Sequence, residues 1–223
     1  GIGTNAAFMQ AVFVGLVNVV FTVVAMSLID RIGRRPLLGF GLAGIAVSML
    51  LLAYGFGSAT YQLDRDAIAG LPADIDRQQL TVLVDSTYYS DKGFREAVSE
   101  AVGGDVYQKF EAQLVSGAIT MNPTLILLAI LGFVASFAVS IGPVMWVLFS
   151  ELFPNRVRGL AISFVGLVNS AIAFVVTLVF PWQLATLGNS ATFLIYGLFA
   201  LLGLVFVMRI LPETKGRSLE ELE

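Results

Sequence analysis

The chain has 223 residues, 57% of them apolar and 13% charged, with a net charge of −3 at pH 7. Soluble domains carry about 25% charged residues, so this composition and a mean hydropathy of +0.85 exclude an ordinary water-soluble enzyme. With no cysteine and no histidine, a disulfide framework, thiolate chemistry and an imidazole shuttle or metal ligand are excluded; without a basic stripe, no nucleic-acid partner is expected.

The apolar residues fall in runs of the roughly 20 residues that a helix needs to cross about 30 Å of hydrocarbon. Charges divide the chain into five such spans. The first runs from about Ala6 to Ile29 without a charge, and the segment DRIGRRP closes it. The second runs from Leu37 to Gly57 and is rich in Gly and Ala. Its glycines make no phosphate loop, since no strand precedes them and no lysine follows in register. A polar stretch of 65 residues, Ser58 to Asn122, comes next. It is too long for a loop without structure of its own. Phe94, Ala97, Val98, Ala101 and Val102 keep helical spacing, as do Tyr107, Phe110 and Leu114, so a small helical insert is predicted. The third span runs from Pro123 to Phe149. Pro143 lacks a backbone donor and clashes with the preceding turn, so a helix break is predicted at Gly142 and Pro143. Ser150 to Arg158 is a charged loop. The fourth span covers Gly159 to Pro181, the fifth Ala191 to Leu211, and PETKGRSLEELE is a charged tail. The expected organisation is two spans (1–57), insert (58–122), three spans (123–211) and tail (212–223). Opening at Gly1 almost directly in an apolar run, the chain reads as a piece of a longer protein.

Orientation follows from Lys and Arg in short loops. The DRIGRRP loop holds three arginines, Ser150–Arg158 two, and the turn from Trp182 to Ser190 none. The two basic loops and the tail are therefore expected in the cytoplasm, and the insert, with five basic against ten acidic residues, outside. Topology alone explains the arginines but not the acids beside them, since acids contribute little to orientation. Asp30, Arg31, Arg34 and Arg35 at one boundary and Glu151, Arg156 and Arg158 at the other fit two readings: solvated topology signals, or pairs that tie helix ends together in one conformation and release them in another.

Asn18 and Asn169 lie near the middle of the first and fourth spans. An unpartnered amide in hydrocarbon costs a few kcal/mol, so each faces protein or a water-filled cavity. Interhelical hydrogen bonding and a polar cavity both fit. Trp146, about one turn from the cytoplasmic end, fits an interfacial tryptophan belt by position. The break beside it fits a transport site, because broken helices line such sites.

Three strings, GLVNVVFTVVAMSLIDRIGRRPLL, GPVMWVLFSELFPNRVRG and PETKGRSLEELE, each at the appropriate membrane boundary, resemble the C-terminal half of the sugar porters of the major facilitator superfamily. The resemblance implies an all-α membrane fold in which the five spans correspond to the family's eighth to twelfth helices, with the seventh and the N-terminal half absent. It implies that Asn18, Trp146 and Asn169 contact the sugar, Trp146 by stacking. It also implies that Asp30, Arg34, Arg35, Glu151 and Arg158, with Glu213 of the tail, form the cytoplasmic charge network. Ser170 departs from the pattern, which has tryptophan there, and the insert is longer than usual. The expected function is monosaccharide transport by alternating access in the plasma (inner) membrane, without cofactor, metal or enzymatic activity. The expected partners are a sugar, the lipid bilayer and the missing N-terminal half. Proton coupling stays open, as do a porter for another polyol or small organic solute and a sugar sensor of the same fold.

Overall fold

A computed structural model describes residues 4–72, 75–84 and 86–215. The GRSLEELE end of the tail lies outside them. Among the described residues, five helical stretches are long and apolar enough to cross a membrane. They are α1 (Thr4–Ile32), α2 (Arg34–Gly57), the broken pair α7 (Pro123–Val139) and α8 (Ile141–Leu152), α9 (Arg158–Leu187) and α10 (Asn189–Ile210). α2 is the central helix, packed on α7 and α10, while α1 lies along α7 and α8. Small residues let these helices approach closely. Gly41 and Gly44 face Ser140 and Ser136 across the α2–α7 contact, and Gly39 faces the Met208 side chain of α10. Such stripes suit packing between helices in lipid, where no hydrophobic drive separates helix from tail.

The break in the third span falls at Ser140, three residues before Pro143. This follows from proline's geometry, because the ring collides with the carbonyl four residues back, which is that of Val139. Pro143 then sits in the first turn of α8, where its missing N–H would have had no helical partner. Ser140 is buried and donates through Oγ to the Ser136 carbonyl, 2.6 Å away.

The fourth span runs past its predicted end, with Pro181 inside α9 and the helix continuing to Leu187. Phe180 packs edge-on against Phe193 and Tyr196 of α10, and the Tyr196 hydroxyl donates to Gln183 Oε1 at 3.0 Å. Contacts on both sides of the proline hold the helix through it. The stop is Gly188, at φ 83°.

The insert is mixed α/β rather than purely helical. It contains β1 (Thr60–Gln62), α3 (Arg65–Ala69), α4 (Arg77–Leu80), β2 (Thr87–Tyr88), α5 (Asp91–Val102), α6 (Gly104–Ala118) and β3 (Ile119–Thr120). The antiparallel sheet has the order β2-β1-β3, with Tyr61 opposite Tyr88 and Thr60 opposite Thr120. The predicted helical faces are present: Phe94, Val98 and Val102 of α5 and Tyr107, Phe110 and Leu114 of α6 are buried in one core with Tyr61, Leu63 and Leu80. Tyr61 stacks on Phe94 at 5.4 Å. Burial, helped by the Asp91 carboxylate, pushes the Tyr61 phenol up to about 12. β1 follows α2 and β3 leads into α7, so the sheet zips together the two chain crossings between insert and bundle.

Candidate functional site

Two groups of predicted residues occupy opposite surroundings. Asn18 lies on an exposed face of α1. Thr22, one turn on, donates to its backbone carbonyl at 2.8 Å and reaches its side-chain oxygen at 3.4 Å. Trp146, on α8, is 47% exposed and meets Phe149 edge-on. Asn169 lies on α9, none of whose residues is buried. α8 touches both α1 and α9, so the three residues stand on neighbouring helices. A Cβ on Gly166 would lie 3.9 Å from Trp146 Cη2, and Asn169 is one helical turn from Gly166. The structure thus brings Trp146 and the α9 amide into one neighbourhood. All three side chains sit on surfaces that the described residues leave uncovered, and hydrocarbon offers the two amides no hydrogen-bond partner.

The charged end is assembled around Arg34, whose side chain is 11% exposed. Its Nε donates to both carboxylate oxygens of Glu151, at 3.1 and 3.0 Å, and its Nη2 to Glu151 Oε1 at 2.6 Å. Nη2 also pairs with Asp30 Oδ1 at 3.1 Å, and Nη1 donates to the Ile29 carbonyl at 3.1 Å. One guanidinium therefore closes the α1–α2 corner onto the end of α8. Fork geometry of this kind is specific to arginine.

Glu213 adds the tail. Its two oxygens accept the backbone N–H groups of Arg34 and Arg35, at 3.0 and 3.1 Å. These belong to the first turn of α2, whose N–H groups have no helical partner, so a residue far along the chain caps this helix. Burial opposes ionisation of Glu213, but the backbone donors of Lys215, Arg34, Arg35 and Thr214 outweigh it and hold the carboxyl below its ordinary value of 4.5. A lowered value means that this cap is present above the ordinary range and is lost as pH falls through the lowered one. A spin label at Lys215→Cys should therefore stay immobile at neutral pH and gain mobility only below 4.5. Release already near neutrality would contradict the cap.

Between α1 and α2 stands a single residue, Gly33, at φ 103° and ψ 162°. Only glycine adopts this conformation readily. A Cβ there would also lie 2.7 Å from Glu213 Oε2. Gly33→Ala should cost about 1–3 kcal/mol in backbone strain alone and displace Glu213. Thermal unfolding in detergent reads the loss; an unchanged midpoint would contradict it.

The remaining predicted members are placed differently. Arg35 donates through Nη2 to the Met208 carbonyl of α10, and its Nε is buried without a hydrogen-bond partner among the described residues. Arg158 donates through Nε to the Phe153 carbonyl at 3.2 Å and joins no ion pair among the described residues. It braces its own loop instead. Thr214, which sequence reasoning passed over, is buried and donates to Glu151 Oε2 at 2.6 Å. Lys215 donates through Nζ to the Arg31 carbonyl at 2.5 Å. The only signal for Thr214 was its place beside Glu213 in the tail motif.

The chain is 32% identical, over its whole length, to an arabinose-proton symporter of Bacillus subtilis, of which it spans 35%. It is also 32% identical to mouse facilitated glucose transporter member 10, with 99% of this chain and 45% of that protein covered. Among solved structures it is similar to a major facilitator superfamily proton:xylose symporter bound to 6-bromo-6-deoxy-D-glucose. There the TM-score is 0.66 at 28% identity, with all of this chain and 35% of the other covered. The chain thus spans between about a third and a half of the length of these relatives, which are transporters and not enzymes. A family model described as sugar (and other) transporter matches residues 1–70 and 108–223, leaving out only the middle of the insert, and the chain belongs to that family.

Proposed function

We propose that this chain supplies part of a transporter that moves a monosaccharide across a membrane by alternating access, with Asn18, Trp146 and Asn169 contacting the sugar. The observation that carries the reading is that α8 neighbours both α1 and α9 and that the two amides and the indole are exposed on these helices, within apolar spans. Amides hydrogen-bond neutral hydroxyls, and an indole covers the apolar face of a sugar ring. The rest of the transporter closes the cavity from the other side. The charged end is the cytoplasmic one, by the excess of arginines in its short loops, and the insert lies outside. No carboxylate lies in the interior of the five spans, so a titrating acid for proton coupling belongs to the remainder of the transporter. Uptake of D-xylose, L-arabinose and D-glucose by vesicles holding the complete transporter tests the reading. Saturable uptake of at least one is expected, and uptake of none would overturn it.

A further inference from the structure

At the insert end, α10 begins as α2 begins at the charged end. Gly188 precedes it at φ 83° and ψ 167°, close to the conformation of Gly33. Here too a carboxylate from a distant segment provides the cap, as Asp91 Oδ2 of the insert accepts the Asn189 backbone N–H at 2.8 Å. A Cβ on Gly188 would lie 2.5 Å from Asp91 Oδ1. The second half of the device also repeats. At the charged end Arg35 donates to Met208, in the last turn of α10; at the insert end Arg95 donates to Ala185, in the last turn of α9, at 3.4 Å. Each end thus sets an acid on a helix N-terminus and an arginine on a helix C-terminus, the favourable sense for both helix dipoles. Asp91 and Arg95 are one turn apart on α5. Arg95 is braced by Glu111 of α6 at 3.0 Å. These side chains also line a cavity of about 820 Å³ between insert and bundle; Arg95 pairs with Glu111 and Asp91 accepts from the α10 N-terminus, while Arg95 Nε is buried with no hydrogen-bond partner among the described residues.

We propose that the insert is a second latch, in which Asp91 and Arg95 clasp the α9–α10 turn so that the insert and the outer ends of α2, α7, α9 and α10 move as one unit. The insert is fixed to α2 and α7 through β1 and β3 and α10 packs on α2, so the clasp adds a direct tie from the insert to the α9–α10 turn. α9 has no buried residue of its own to anchor it. Asp91 and Arg95 act as positioning residues and touch no sugar. That the unit must move at all rests on the transport reading above.

The test places spin labels on Gln108 of the insert and Thr186 of α9, both exposed, in the complete transporter and measures their separation. One narrow distribution is expected, unchanged by saturating D-xylose or D-glucose. Asp91→Ala with Arg95→Ala should broaden and lengthen it, and Arg95→Lys should restore part of the order. Asn189→Pro gives a milder check, because proline is accepted at the first helical position and deletes only the N–H that Asp91 accepts. It too should broaden the distribution. A narrow distribution in both the double variant and Asn189→Pro would overturn the clasp. So would a wild-type separation that changes when sugar binds. Sugar-free distributions read the clasp even in a protein that carries no sugar, so failure of the transport reading shows separately, as absent uptake.

Discussion

Arg34→Ala in the complete transporter is expected to open the charged end of the bundle, costing the closed arrangement about 2–4 kcal/mol. Removing one partner of a buried ion pair costs about 3–5 kcal/mol, because the other charge stays desolvated and alone. Glu151 keeps 27% of its side chain exposed, so water relieves part of that cost. The same guanidinium also holds Asp30 and the Ile29 carbonyl, and those contacts go with it. Asp30, 77% exposed, is a contrasting case: Asp30→Ala should cost about 0–1 kcal/mol, the worth of a surface pair. Accessibility labelling at the two membrane faces reads the difference. Arg34→Ala should expose the charged end and protect the insert end, and Asp30→Ala should change little. Equal small effects would reduce the arginines to topology signals.

Asn169→Ala and Asn18→Ala should each weaken sugar binding by about 1–3 kcal/mol, the cost of one lost buried hydrogen bond with its partner left unpaired. Trp146→Ala should cost a similar amount through lost apolar contact, whereas Trp146→Phe should keep most of it. Asn122→Ala provides the control. Asn122 caps α7 by accepting the Leu125 N–H at 3.1 Å, so its loss should lower stability without selectively lowering sugar affinity. Calorimetric titration of the complete transporter separates the two kinds of loss. Unchanged affinity in both amide variants would remove the α1–α9 face from the binding site.

The spans and their boundary charges were legible because apolar run length and arginine placement are local signals. The buried faces of α5 and α6 were legible for the same reason, since Phe94, Val98 and Val102 repeat at helical spacing. The strands were not: β2 and β3 have two residues each and β1 three, too few for alternation to show. The helix break was displaced to Ser140 because proline acts on the turn before it. Pro181 failed to end α9 because contacts from α10 outweigh one lost hydrogen bond. Glu213 entered through the family resemblance and Asp91 not at all, since a helix cap supplied from 98 or more residues away leaves no local pattern. Arg158 shows the reverse limit. Its charge and position matched the network, but its own loop carbonyl claimed it.

A photoreactive diazirine hexose, cross-linked in the complete transporter and mapped by mass spectrometry, tests most directly whether sugar passes along the face of α1, α8 and α9. The account predicts label on peptides around Asn18, Trp146 and Asn169, removed by excess unmodified sugar. Label confined to α2, α10 or the insert, with those three peptides clean, would contradict it.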